Sequence, residues 1–172
     1  MFLTAILAVT PTFAPCPILN LPDSADSWKG YCAMFGTELV QIAFPGVPTQ
    51  TNSSTTVTLS QTDGGVTYTL ICNYPVSTPA NSNTYFEQQR AAATASSALL
   101  LTYNLNQNAP LGSLATLFTT KDVTTNIWTQ YYIRISPQNT YHLNISYNPA
   151  NYTFFQIGTF ALFRSIFTVT IP

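Results

Sequence analysis

The stretch TVTLSQTDGGVTYTLIC, residues 56–72, leaves the chain little choice of fold. Val57 and Leu59 alternate with Thr and Ser; beyond two glycines, Val66, Tyr68 and Leu70 alternate with Thr. A period of two marks a strand with one buried face, and the glycines supply the positive φ that a two-residue hairpin turn needs. Two registers fit. A turn at Asp63-Gly64 sets Val57 opposite Leu70 and Leu59 opposite Tyr68, whereas Gly64-Gly65 shifts the pairing by two residues. Because the shift is even, the same side chains face the same way in both.

The same alternation recurs. TELVQIAF places Val40, Ile42 and Phe44 on one face, and TYHLNISYNP places Tyr141, Leu143, Ile145 and Tyr147 on one face. In NIWTQYYIRI, Ile127, Tyr131, Ile133 and Ile135 alternate with Trp128, Gln130, Tyr132 and Arg134; the first set is expected inward and the second outward. SPQN reads as the turn between these last two strands, TQTNSSTT as a loop, and LFRSIFTVTI as a C-terminal strand. Two helices are expected. Asp23 to Phe35 has a Pro-Asp-Ser start and a Gly36 stop. NSNTYFEQQRAAATASSALLL has an alanine run and a Thr84-x-x-Glu87 capping box, and turns strand-like at its end. From there, Leu99, Leu101, Tyr103 and Leu105 share one parity. The fold class expected is all-β: an antiparallel β-sandwich or jelly roll with one or two short helices, formed by residues 15–172 as one domain.

Composition narrows the function. Charged residues are 6% of the chain, net charge is −1, and 27 of the 172 residues are Thr. Five scattered cations make no basic patch, so nucleic acid is not an expected partner. No run of 18 apolar residues occurs, so no transmembrane helix is expected. Hydroxyls, amides or covalent sugar must keep such a surface wetted, which suits an extracellular or cell-surface protein. With six acids in the chain, acidification is expected to cost little stability.

The candidate sites are few. Asn52, Asn144 and Asn151 begin N-x-S/T sequons, and Asn144 and His142 fall on the polar side of their strand. Cys16–Cys32 is a candidate disulfide, with Cys32–Cys72 as its rival. Trp128 and Tyr132 could form an outward aromatic platform for sugar or a contact for another subunit. His142 has no nucleophile motif beside it, and the acids form no catalytic pair: Asp23 and Asp26 share one short helix, Asp63 sits in a turn, and Lys121-Asp122 reads as a loop ion pair. An enzyme is not expected, nor a metal or other cofactor.

The N-terminus, MFLTAILAVTPTFA, is apolar and uncharged. It is too short to span a membrane. As a signal peptide it would end plausibly at Thr12-Phe13-Ala14, yet it has no basic residue before its apolar run. The expectation is a retained segment, residues 1–14, apolar on both parities: Leu3, Leu7 and Val9 on one, Phe2 and Ile6 on the other. Such a strand needs burial on both sides, in its own domain or in a neighbouring copy. A detachable apolar strand, then a hinge at Pro11, Pro15 and Pro17, then a β-domain is the layout of a donor strand that completes another copy's sheet. In organisation this resembles the secreted archaeal threads and the bacterial pilins built by donor-strand complementation. The resemblance implies a homopolymer held by the N-terminal strand, with no catalytic residues. A viral coat jelly roll and a carbohydrate-binding or adhesive module are the alternatives.

Overall fold

The computed structural model describes residues 10–18, 21–74, 81–95, 98–108, 114–151 and 154–171. The domain is mainly β, with two antiparallel sheets and two short helices, as a sandwich requires. In chain order its strands are β1 Ala14–Pro15, β2 Lys29–Phe35, β3 Glu38–Phe44, β4 Thr49–Asn52, β5 Thr56–Asp63 and β6 Val66–Asn73. Helix α1, Ser82–Thr94, follows, then β7 Ala98–Asn108, β8 Leu114–Asp122, β9 Trp128–Ile135 and β10 Thr140–Tyr147. Helix α2, Phe154–Ile166, and β11, Thr168–Thr170, complete it. One sheet has the order β1-β2-β3-β11. The other has seven strands in the order β4-β5-β6-β10-β9-β8-β7.

The β5–β6 hairpin takes the second of the two registers. Gly64 and Gly65 form the turn, both at positive φ, and Val57 pairs with Cys72 and Leu59 with Leu70. Continuing across the ladder, Leu143 joins Leu70 and then Tyr132. That row lies under the smaller sheet, where Phe35, Val40, Ile42 and Phe44 are fully buried. Aromatic rings knit the layers: Phe35 meets Tyr141 edge-on, and Phe163 of α2 wedges between Phe44 and Tyr68.

Several expectations needed correction. The helix expected at Asp23–Phe35 is a single 3-10 turn, Asp23–Ala25, followed by β2. Its Tyr31, Ala33 and Phe35 alternate into the core, and that burial outweighs the local helix signals. Part of the expected TQTNSSTT loop is β4. The expected C-terminal strand is largely α2, and only Thr168–Thr170 are extended. Helix α1 forms as expected, but its N-cap is Asn81, whose Oδ1 accepts from the Thr84 N–H at 3.1 Å. In β7 the register slips at Leu101: Leu100 pairs with Thr120 and Thr102 with Thr119. This bulge breaks the shared parity of Leu99 and Leu101.

Candidate assembly edge

A sheet edge is a row of unpaired N–H and C=O groups, ready to accept another strand. Three of the four edges here are short: β1 has two residues, β11 three and β4 four. The fourth, β7, has eleven. Its sequence, ALLLTYNLNQN, holds no charge and no proline, the residues that commonly blunt such edges. Leu99, Leu100 and Leu101 are 56%, 37% and 39% exposed. Leu99 lies opposite Lys121 and Leu100 opposite Thr120, so each face of the edge carries a leucine. Helix α1 packs on β7 and β8, with Phe86 set against Phe118, Ile133 and Ile135, and fixes this flank from one side.

The N-terminal candidates Phe2, Leu3, Ile6, Leu7 and Val9 lie outside the described residues. The chain that leads from them is well anchored. Ala14 pairs with Cys32 and Pro15 with Tyr31; Cys16 N–H donates to the Gly30 carbonyl at 3.0 Å. Cys16 and Cys32 form the disulfide, and Cys72 is free and buried. Gly30 lets this crossing happen, since a Cβ there would lie 2.3 Å from the Cys16 carbonyl oxygen. Phe13 is buried against Phe35, and its N–H donates to Gln50 Oε1 of β4 at 3.0 Å. Extending the β1–β2 register backwards brings Thr10 level with Gly36, the turn after β2. Beyond Thr10, β2 offers no further backbone to pair with.

Trp128 and Tyr132 do not form an outward platform. Their parity faces the sandwich interior: Trp128 packs on the main core with its ring tilted against Tyr147, while Tyr132 is buried with the Arg164 guanidinium of α2 5.6 Å above its ring. The opposite parity, Tyr131, Ile133 and Ile135, lies under α1. Both parities of β9 carry aromatic rings because both are covered.

His142 was expected on a wet face and is instead sheltered by α1. Its Nε2 lies 2.9 Å from the Tyr85 hydroxyl, in an open groove lined by Asn73, Gln89 and Thr140. Burial pushes its pKa down to about 4. Among the sequons, Asn52 and Asn151 are exposed, whereas Asn144 is partly buried. Asn144 Oδ1 is buried without a hydrogen-bond partner among the described residues. Asp122 caps a turn, its Oδ1 accepting from the Thr124 and Thr125 N–H groups at 2.8 and 2.7 Å.

One cluster escaped the sequence reading. Glu38, fully buried at the start of β3, accepts from Ser136 Oγ at 2.7 Å, Asn139 Nδ2 at 2.9 Å, Tyr141 OH at 2.6 Å and the Gln138 N–H at 3.2 Å. Burial, followed by the carboxylate it faces, holds the Tyr141 hydroxyl protonated far above its ordinary range. All four donors belong to the β9–β10 turn or the start of β10, so one carboxylate ties the two sheets together. The signal was present: Glu38 shares parity with Val40, Ile42 and Phe44, which sends it inward. Its donors are neutral hydroxyl, amide and backbone groups, an arrangement that holds a carboxylate in place and leaves it no substrate to reach.

Among the described residues no three His, Cys, Asp or Glu side chains gather as a metal site, and no helix is long and apolar enough to cross a membrane. A scan of protein-family models and a search of curated proteins return no match to this chain.

Proposed function

We propose that the chain is a structural subunit of an extracellular assembly, a filament in which residues 2–10 of one copy complete a sheet of the next. The observation that carries this reading is the anchored exit of the N-terminal segment. The chain is stapled to β2 by a disulfide, and the β1–β2 register continued back from Ala14 would reach the end of that strand at Thr10. The nine residues before Thr10 are apolar on both parities. A strand of that kind gains most by entering a sheet, through main-chain hydrogen bonds and about 25 cal/mol per Å² of apolar area buried. That is several kcal/mol per junction for a strand carrying Phe2, Leu3, Ile6, Leu7 and Val9.

An oxidising, extracellular setting agrees with a structural disulfide. N-linked glycan at exposed Asn52 and Asn151 would solubilise a surface so poor in charge. The carbohydrate-binding alternative loses its platform with Tyr132 buried. Electron microscopy of native material tests the reading: long polymers are expected, absent after deletion of residues 2–10. Closed shells would favour the coat-protein alternative, and monomers alone would overturn the assembly reading.

A further inference from the structure

We propose that the groove between helix α1 and the outer face of β6 and β10 is a binding site for a neutral saccharide. The groove lies on the side of the seven-stranded sheet away from the smaller sheet. It is complete within one copy of the chain, so the proposal does not depend on how copies join. Its floor is set by the sheet register, which puts Ile71 beside His142 and Asn73 beside Thr140. Tyr85 and Gln89, one helical turn apart on α1, form the wall. Thr55 stands at the end of β6, its carbonyl accepting from the Tyr74 N–H at 2.8 Å. The groove holds about 470 Å³, inside the range of about 300–1,000 Å³ usual for small-molecule sites.

The lining is fixed before any ligand arrives. Thr56 Oγ1 donates to Asn73 Oδ1 at 3.1 Å, and Asn73 Nδ2 donates to Thr140 Oγ1 at 3.1 Å. The Tyr85 hydroxyl stands 3.4 Å from Thr140 Oγ1 and 2.9 Å from His142 Nε2. This network crosses β5, β6, β10 and α1, and so holds the side chains against rotation. Three polar groups of the lining are left over. The Gln89 amide, the Thr55 hydroxyl and His142 Nδ1 make no hydrogen bond among the described residues. No side chain charged at neutral pH lines the groove, and Arg90, next to Gln89, is paired with Glu87. A charged ligand would shed water there without meeting a counter-charge. A fatty ligand would find one aliphatic side chain, Ile71. A sugar ring matches both parts of the lining. Its hydroxyls exchange hydrogen bonds with amide, hydroxyl and imidazole, and its C–H face packs on Ile71 and the Tyr85 ring.

The test titrates the full-length chain with glucose, galactose, mannose and N-acetylglucosamine by calorimetry. Glucuronate serves as the charged control, and amide NMR spectra locate the contact. At least one neutral sugar should bind in the millimolar range and shift the signals of Ile71, Asn73 and His142 together with those of α1. Gln89→Ala should weaken binding about five- to tenfold, the worth of one or two hydrogen bonds, and leave the melting temperature in place. Gln89→Trp, which fills the groove from the helix side, should abolish binding. Should either variant melt early, Thr55→Ala in the exposed β4–β5 turn takes its place, with a loss of about threefold expected. Treating native material with an enzyme that removes N-linked glycan separates two sources of the sugar. Greater uptake after treatment would mean that the groove holds a glycan of the protein itself, and unchanged uptake that the saccharide comes from outside; both keep the site. Binding that survives Gln89→Trp, or shifts confined to other residues, would put the sugar elsewhere and overturn the site. Glucuronate bound as tightly as the neutral sugars would overturn the ligand class. No binding of any of the four sugars at molar concentration would overturn both and leave the filament reading as it stands.

Discussion

The two flanks of the seven-stranded sheet are finished differently. Where the smaller sheet covers β5, β6 and β10, Leu70, Leu143 and Ile145 are at most 1% exposed, and the Glu38 cluster bolts the layers together. At the other margin, β7 leaves three consecutive leucines 37–56% exposed. A chain able to bury one flank so completely is not short of apolar area or packing skill. On the filament proposal, stability and assembly should separate between the two flanks.

The largest expected effect lies in the covered flank. Phe44→Ala removes a fully buried ring that packs against Tyr31 and Phe163, and should cost about 3–5 kcal/mol in denaturant unfolding. Glu38→Ala strips an acceptor from three buried side-chain donors and should cost about 3 kcal/mol, with Glu38→Gln recovering part of it because the amide keeps one acceptor oxygen. If Glu38→Ala were neutral, the bolt would not be what distinguishes this flank.

Acid probes the boundary between the flanks, on the α1 side of β10. His142 is neutral in the folded state down to about pH 4, whereas in the unfolded chain it takes up a proton near its ordinary value of 6.5. The unfolded state thus binds more protons between these values, and stability falls as pH drops through that window. The loss should be about 3 kcal/mol, read as a lower melting temperature at pH 4 than at pH 7, and His142→Gln should flatten it. The expectation that acid costs little rests on the count of carboxylates and leaves out this one imidazole. The smallest effect belongs to the open flank: Leu100→Ala should change unfolding free energy by no more than about 0.5 kcal/mol. A cost of several kcal/mol there would mean that β7 is core after all, and the contrast between flanks would collapse.

The sequence made the β architecture legible because alternation is a direct image of a sheet's two faces. Val57 to Cys72 carried even its two candidate registers, separated by where the glycines fell. It misled where one spacing satisfied two periods. Phe163 and Phe167 are four apart, which is even, as a strand wants, and also one helical turn; Phe160, buried at three residues before Phe163, marks the helix. At β9 the period was right and the face was wrong, since apolar side chains on both parities cannot say which layer lies on which side. Glu38 was overlooked because an acid at a strand's first position resembles a turn residue until its parity is counted. The edge at β7 was hidden for a different reason: strand order, and with it which strand ends a sheet, is a long-range property that no local pattern encodes.

The bridge between Cys16 and Cys32 has a mechanical consequence. A tug on the chain at Thr10 passes within six residues into a covalent link to β2, a strand whose other neighbour is β3 in the middle of the smaller sheet. Force entering by that route can peel away no more than the two residues of β1 before the covalent link hands it to the body of the domain. In the filament proposed above, the N-terminal segment would be held by non-covalent contacts, so a stretched polymer would part there and leave each folded body whole.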